Sequence, residues 1–456
     1  MKALQITVPK PVRALLLQLN AAGFSAYAVG GCVRDSLCGR TPKDWDICTA
    51  ALPEQTAACF AEERTVFSGA KYGTVTVISE NTPYEITTFR AEGGYSDRRH
   101  PDAVAFLQEL NADLARRDFT VNAMAADASG AVLDPFGGAA DLKAGILRCV
   151  GDPAARFSED ALRILRALRF SARFDFTVEL NTAQALHDCR ELLREVAPER
   201  FSRELNGLLC GEGAVRVLRT FSDVLCVIVP ELAPCLGFRQ WNYHHRYDVW
   251  EHTLRTVASI PPQPLLRLAA LLHDIGKPCC FAFDKNLRGH FYDHAAVGAA
   301  MSEVCLRRLR YDAQTTQQVR ALIAAHGFSL SPLTDKRMKH LLSRYGEQTL
   351  RGLLLLRRAD ATATGTSDLT HLSEKLDAAE ALLCRILARR DCFTLAQLAI
   401  SGKDLMQLGV PQGRQVGALL NALLDAVLDG RAENTEACLR MYAQALLAKE
   451  TIERNP

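Results

Sequence analysis

The sequence predicts an α+β protein, with a short mixed α/β part at its N-terminal end and helices from there to the C-terminus. Three observations point that way. Segments 71–78 and 84–90 alternate and are rich in β-branched residues, as strands are. A short apolar strand, Tyr27-Ala28-Val29, runs directly into a pair of glycines. Further along, apolar residues recur at helical spacing, as with Leu162, Leu165 and Leu168.

The chain has 456 residues, 48% hydrophobic and 23% charged, which is a globular composition with length for about three domains. A formal net charge of +2 excludes a histone-like coat, so any nucleic acid must be held by local basic patches. The 15 cysteines are scattered, apart from Cys279-Cys280, and form no Cys-x-x-Cys. They read as reduced thiols of a cytoplasmic protein, not as disulfides or zinc fingers. Met1-Lys2-Ala3 runs into an amphipathic pattern with no apolar leader, and no apolar run is long enough to span a bilayer. Neither a low-complexity tail nor a fixed-period repeat is present.

In chain order, residues 8–22 predict a helix with Val12, Leu15, Leu16, Leu17 and Leu19 on its apolar face. The strand at 27–29 leads into Gly30-Gly31-Cys32-Val33-Arg34-Asp35, with the next helix beginning at Arg34. Paired glycines let a backbone approach a phosphate closely, and an arginine offers a planar, permanently charged donor. Lys43-Asp44-Trp45-Asp46-Ile47 follows as a strand. Carboxylates two apart on a strand share a face, which sets two hard oxygen ligands side by side for Mg²⁺ and a nucleoside triphosphate. An isolated Asp-x-Asp reads as a solvated turn; the glycine pair, arginine and apolar strand around it favour nucleotidyl transfer. Trp45 is expected to face away from the metals, into the core.

The segments at 71–78 and 84–90 predict a hairpin, in which Glu85 is either a third acid beside the aspartates or a surface strand residue. Ala91 to Val104, with Arg98, Arg99 and His100, predicts a long polar loop able to serve as a flap over nucleotide or RNA. Asp113 to Met124 predicts a helix, where Arg117 and Asp118 either reach a nucleotide or form a surface ion pair. Arg163, Arg166, Arg169 and Arg173 make a basic stripe on a later amphipathic helix.

GGCVRD, DWDI, EITTFR, RRDFTVNAMA, DPFGGAADLKAGILRCVGDP, RFSEDALRILRALRF and ERFSREL occur in that order. As a set they resemble the class II tRNA nucleotidyltransferases, the bacterial CCA-adding enzymes of the polymerase β-like superfamily, which includes bacterial poly(A) polymerase. The resemblance is dense over the first half and looser to the C-terminus. It implies a polymerase β-like nucleotidyltransferase head at 1–145 and an all-helical neck with a base-reading helix at 146–215. A helical body at 216–365 and a helical, tRNA-binding tail at 366–456 would follow. Residue by residue, it puts two Mg²⁺ ions on Asp44 and Asp46 as catalytic ligands, and nucleotide phosphates on Gly31 and Arg34. Arg117 falls beside the nucleotide, Asp160 and Arg163 at the base, and Arg166 and Arg169 at further nucleotide contacts.

Base reading also has a chemical argument. Three apart on a helix, Asp160 and Arg163 would share one face, with the carboxylate only accepting and the guanidinium only donating. Cytosine and adenine each set an amino donor beside an acceptor, which suits that edge; uracil and guanine set a carbonyl and a ring N–H against it. Each unpaired buried group costs about 1–3 kcal/mol. Glu199 and Arg200 are expected to brace this helix.

The second half contains His252, His273-Asp274, His294, His326 and Asp360, each on or beside a predicted helix. The set resembles an HD-domain phosphohydrolase, which implies one metal on His252, His273, Asp274 and Asp360, and a second on the added histidines. Imidazole and carboxylate ligands suit Ni²⁺, Mn²⁺ or Fe better than Ca²⁺. Lys277 is a candidate phosphate ligand, and Ile400 to Val427 resembles the tail that grips the tRNA elbow, with Gly402 and Gly413 at turns.

The expected activity is template-independent addition of CCA to tRNA from CTP and ATP, releasing pyrophosphate, in a cytoplasmic enzyme with no membrane partner. The rivals are a poly(A) polymerase or a CC- or A-only enzyme, a metal phosphohydrolase acting on 2′,3′-cyclic or 2′-phosphates, and a non-catalytic RNA-binding scaffold. Oligomeric state is not legible.

Overall fold

The computed structural model describes residues 4–69, 72–93, 103–242, 245–365 and 370–454. The chain divides into two compact units: Met1–Ala233 with Pro262–Pro264 and Cys305–Tyr311, and Pro234–Pro261 with Leu265–Val304 and Asp312–Pro456. No helix among the described residues is long and apolar enough to cross a membrane.

The first unit opens with α1 (Lys10–Ala21), whose Val12, Leu15, Leu16 and Leu19 are buried, as the 3.6-residue period requires. Then come β1 (Ala26–Val29), α2 (Gly31–Leu37), β2 (Asp46–Thr49), α3 (Pro53–Cys59), β3 (Arg64–Gly69), β4 (Thr74–Ser79) and β5 (Thr82–Thr88). β6 (Arg90–Gly93) and β7 (Ala103–Phe106) form their own antiparallel pair. After α4 (Leu110–Ala115) lie the short strands β8 (Ala125–Ala126) and β9 (Val132–Leu133). Seven strands make one mixed sheet, ordered β3-β4-β5-β2-β1-β8-β9, in which only β2 and β5 run parallel.

Alternation divides this sheet's side chains between two cores. Ala28, Ile47, Val75, Val77 and Ile86 pack under α1, with half-buried Trp45 against them. Val29, Cys48, Phe89, Leu114 and Ala125 form the core on the other face.

The helical remainder of this unit holds α5 (Gly138–Ala144), β10 (Ile146–Leu147), α6 (Pro153–Glu159), α7 (Leu162–Phe174), β11 (Thr177–Val178), α8 (Leu180–Asp188), α9 (Phe201–Leu209), α10 (Ala214–Thr220) and α11 (Ser222–Ile228). α7 buries Leu162, Ile164, Leu165, Leu168 and Phe170 on one side and carries arginines on the other.

The second unit contains α12 (Val249–Ser259), α13 (Pro264–Leu272) from Leu265 on, a hairpin of β12 (Phe281–Phe283) and β13 (Gly289–Phe291), α14 (His294–Arg308) as far as Val304, and α15 (Ala313–Ala325). α16 (Asp335–Ala363) is interrupted at Gly346, whose φ of 73° no α-helix contains. α17 (Thr370–Ala388), α18 (Gly402–Gln407), α19 (Arg414–Leu428) and α20 (Glu436–Arg454) complete it. The last three share a core built on Leu405, Leu419, Leu423 and Leu439. Gly402 opens α18 and Gly413 precedes α19.

Four sequence expectations need correcting. Asp44 precedes β2 instead of lying on it. α2 begins at Gly31, not Arg34, because Gly30 makes the turn. The stretch 91–104 is not wholly loop, since its ends pair as β6 and β7; Arg98, Arg99 and His100 lie outside the described residues. Residues 113–124 are not one helix: α4 ends at Ala115, and Phe119 is extended (φ −129°, ψ 148°) with its N–H donating to the Asp118 side chain. A side chain that takes its neighbour's amide competes with the helix ladder.

α7 also packs closely against the turn at Gly211, where a Cβ would stand 2.4 Å from the Ala172 carbonyl carbon and 2.5 Å from its oxygen. Because both atoms are backbone, a helix would have to move. Gly211→Ala is therefore expected to cost about 1–3 kcal/mol, read as a lower urea midpoint at unchanged slope.

Candidate functional site

The first site is set by strand register. β1 pairs antiparallel with β2 so that Val29 faces Asp46, bringing the glycine turn after β1 beside the carboxylate that starts β2. Gly30 has φ 77°, and its N–H donates to the Met124 carbonyl. A Cβ there would be 3.0 Å from an Arg117 nitrogen, in a backbone conformation that L side chains avoid. On the other side of β2, Ile47 pairs with Ile86, which sets Glu85 next to Asp46.

Asp46 shares its face with Cys48, while Trp45 faces the opposite core. The Asp46 carboxyl is raised above its usual range by burial, then by the charges of Asp44 and Glu85, with Arg117 opposing. Crowded carboxylates that resist ionisation together are a donor set a hard divalent cation would satisfy. Mg²⁺ fits here, with Asp44, Asp46 and Glu85 as available oxygens.

Arg34 is buried. It binds Asp35 at 2.7 Å and donates to Asn122 Oδ1 at 2.5 Å, while its guanidinium carbon lies 5.3 Å from the Phe170 ring and 4.8 Å from Phe174. Its Nη2 stands 3.5 Å from where a Cβ on Gly31 would be. Arg117, one turn from Asp113, is held by it at 3.2 Å. Asp118 accepts from the Phe119 N–H, from Asn122 Nδ2 at 3.0 Å, and from Arg166 Nε and Nη2 at 2.9 and 2.6 Å. Burial would raise its carboxyl, but Arg166 and Asn122 outweigh that and bring it down to about 2.

Asp160 and Arg163 do not form one helical edge. Asp160 lies in the break between α6 and α7 with extended backbone (φ −137°, ψ 101°), and its Oδ1 accepts from the Leu162 N–H. A carboxylate capping a new helix ends the old one. Arg200 holds Asp160 bidentately at 3.1 and 3.0 Å. Arg163 instead pairs with Glu159 at 2.5 Å and donates to the carbonyls of Arg156 and Arg116. Arg169 pairs with Glu204 at 2.5 Å. The basic stripe is therefore not merely solvated: three of its four members have acids from α6, α9 or the segment after α4. Asn122, Glu159 and Glu204 were not singled out from sequence, although they lie inside the RRDFTVNAMA, RFSEDALRILRALRF and ERFSREL motifs.

The second site gathers all six residues expected of it. His252 Nε2 lies 3.0 Å from Asp360 Oδ1 and 3.3 Å from His273 Nε2. Asp274 Oδ2 faces His273 at 3.1 Å and His252 at 3.4 Å; its Oδ1 faces His294 at 3.7 Å and His326 at 3.9 Å. His273, His294 and His326 each set Nδ1 against a backbone carbonyl, of Ala270, Phe291 and Ile323, at 2.8, 2.7 and 2.7 Å. Nδ1 then carries a proton, and in the neutral ring Nε2 is a lone pair aimed inward. Neutral His294 and His326 set Nε2 atoms 3.3 Å apart with no proton to share, and Asp274 Oδ1 accepts no hydrogen bond. These orphaned buried acceptors fit two cations, with Asp274 offering one oxygen to each trio. Lys277 turns inward to Asp274 and Gln240, both at 2.8 Å. A cavity of about 330 Å³, lined by Asp274, Lys277, His294, Arg288, Arg357 and Asp360 among others, opens onto the cluster.

Residues 26–148 match the poly A polymerase head domain, 175–236 the probable RNA- and SrmB-binding site of polymerase A, and 291–443 a putative second domain of tRNA nucleotidyltransferases. The chain is 34% identical to a CCA-adding enzyme of Lactobacillus helveticus over 95% of this chain and 96% of that one. It is 32% identical to one from Geobacillus thermodenitrificans over 97% of each. Among solved structures it is similar to the Bacillus stearothermophilus CCA-adding enzyme in complex with CTP (29% identity, TM-score 0.68, 98% of this chain and 100% of that one). A Thermotoga maritima CCA-adding enzyme complexed with tRNA shares the fold at 21% identity and TM-score 0.58, covering 98% and 100%.

The Asp118–Arg166 pair gives acid stability a definite sign. A folded carboxyl near 2, against about 3.9 unfolded, contributes above pH 4, and the contribution is lost as pH falls towards 2. Its size is about 2–3 kcal/mol. Asp118→Asn is expected to remove that part of the pH dependence of unfolding, measured by urea titration between pH 2 and 6.

Proposed function

This chain belongs to the CCA-adding enzyme family, and we propose that it rebuilds the 3′ end of tRNA from CTP and ATP without a template, through the site between the glycine turn and Asp46. The observation that carries this is the Val29–Asp46 register, which puts a phosphate-accepting turn beside crowded carboxylates. Asp44 and Asp46, with Glu85 beside them, hold Mg²⁺. When bound, that ion neutralises charge at the reacting phosphate and lowers the cost of ionising the attacking tRNA 3′-hydroxyl.

The residues do the rest by placement. Gly31 gives the triphosphate access to backbone N–H groups, and Arg34 and Arg117, each fixed by an acid or amide partner, supply positive charge there. The 3′-oxygen attacks the α-phosphorus in line, the α–β bridging bond breaks, and pyrophosphate leaves with both electrons of that bond. Arg166 and Arg169 orient α7 through Asp118 and Glu204 at the edge of the nucleotide site. Asp160 and Arg163 read the base once each exchanges its internal partner, Arg200 and Glu159, for the base edge. Both partners persist in the free enzyme, so an unsuited base leaves the original ion pairs as the better bargain. The head, neck, body and tail divisions at 1–145, 146–215, 216–365 and 366–456 carry these roles in order, with the tail gripping tRNA.

A second activity, metal-dependent phosphohydrolysis at the His252 cluster, is favoured by one observation. Three histidines there have Nδ1 capped by carbonyls, so their inward Nε2 atoms are committed as acceptors. Ni²⁺, Mn²⁺ or Fe suits those ligands.

End-labelled tRNA lacking its terminus tests the main reading. Cytidines should add with CTP alone and adenosine only after them, and Asp46→Ala should extend nothing while still retarding tRNA. Asp160→Ala should extend, but with discrimination against UTP and GTP reduced about tenfold or more, one mispaired group being worth about 1–3 kcal/mol. Long poly(A) products, or no product from the unmodified enzyme, would overturn it.

For the second site, His273→Ala should lose bound transition metal and Ni²⁺-stimulated hydrolysis of 2′,3′-cAMP, and keep CCA addition. Equal metal content in both proteins would dismiss that site.

A further inference from the structure

Phe174 closes α7, and three guanidinium groups stand around its ring: Arg34 at 4.8 Å, Arg40 at 5.0 Å and Arg173 at 5.2 Å from the centroid. They are not equivalent. Arg34 is buried and committed to Asp35 and Asn122. Arg40, just past the end of α2, and Arg173, in the last turn of α7, are exposed, and among the described residues neither is paired with an acid. The acids nearest in sequence are already used: Asp35 by Arg34, and Asp175 by Arg216 at 2.9 Å. Phe174 itself is buried and stacked at 6.0 Å, 9° from parallel, on Phe170, which takes Arg166 and Arg169 at 5.5 and 4.5 Å.

Arginine side chains are flexible and normally cost entropy to hold. A fixed aromatic ring on a packed helix reduces that cost by restraining the guanidinium plane while its N–H groups stay outward. Two restrained, acid-free guanidiniums on one ring create a local positive field that the protein leaves uncompensated. This differs from the rest of α7, where Arg163, Arg166 and Arg169 all have carboxylate partners.

We infer that Arg40 and Arg173, steadied by Phe174, form a binding site for the phosphodiester backbone of the RNA primer, beside but distinct from the triphosphate site. The inference rests on the CCA-adding reading, which supplies an RNA whose 3′ end must reach Asp46. The chemistry is that of non-bridging phosphate oxygens accepting from guanidinium N–H groups, with no base contact and hence no sequence preference.

The test compares the unmodified full chain with Arg40→Ala/Arg173→Ala and with Arg40→Lys/Arg173→Lys. tRNA lacking CCA is titrated between about 50 and 200 mM salt, and CTP binding is measured separately. The alanine pair is expected to lower the slope of log K against log salt by about two, one for each phosphate contact removed, and to raise KM for tRNA about tenfold. CTP affinity should stay as it was. The lysine pair, which keeps charge but not the planar stacking, should recover most of the salt slope. An unaltered salt slope and KM in a folded alanine pair, judged by its melting temperature, would overturn the inference while leaving CCA addition standing. Absence of nucleotide addition in the unmodified enzyme would instead remove the reading beneath it.

Discussion

The antiparallel pairing of Val29 with Asp46 is the constraint on which the candidate site depends. Neither the glycine turn nor the carboxylate is unusual alone. The backbone ladder puts them at the same end of adjacent strands, and the parallel β2–β5 pair adds Glu85. Burial, and then the like charges of Asp44 and Glu85, raise the Asp46 carboxyl and oppose folding. The sheet tolerates this because both of its faces are buried, one under α1 and one against Leu114 and Phe89. A slip of one residue would exchange Trp45 and Asp46 between faces, placing an acid in the core and an indole at the site.

The arginines of α7 represent a second kind of organisation. Partly buried ion pairs contribute little net stability, because desolvation consumes most of the attraction, but breaking one is costly. Their value here is geometric. Asp118, Glu204 and Arg200 come from different elements, and each fixes one side chain on or next to α7. The histidine cluster uses neutral groups for the same end, with backbone carbonyls choosing each ring's tautomer. In both cases the ordering is done by hydrogen-bond partners one layer away from the reacting groups.

How much of this was legible in sequence depended on how local the signal was. The period-two run at 84–90 and the 3.6-period of α1 are set by neighbours in the chain, and both elements form within a residue or two of expectation. The six residues of the histidine cluster were recognisable as a set by their order along the chain, which resembles that of a known family, and they do converge. Asp160 was misplaced for the opposite reason. A spacing of three reads as helix, but the carboxylate caps Leu162 and ends α6, and an aspartate directly before an apolar helical run is the signal that would have told. The helix expected over 113–124 failed likewise at Asp118, whose side chain takes the next amide and Arg166 together. Glu204 as the partner of Arg169, 35 residues away, had no local sign at all.

One consequence concerns the sulfur atoms. Cys32 adjoins Gly31, yet burial, and then the charge of Asp46, push its thiol up to about 12. Cys48 and Cys149 are likewise raised by burial. Thiolate is the nucleophile, so these positions are shielded from alkylating and oxidising reagents. Cys38, at the end of α2, Cys279 and Cys384 are exposed. A maleimide dye would thus report from the surface while the heart of the enzyme stays chemically silent.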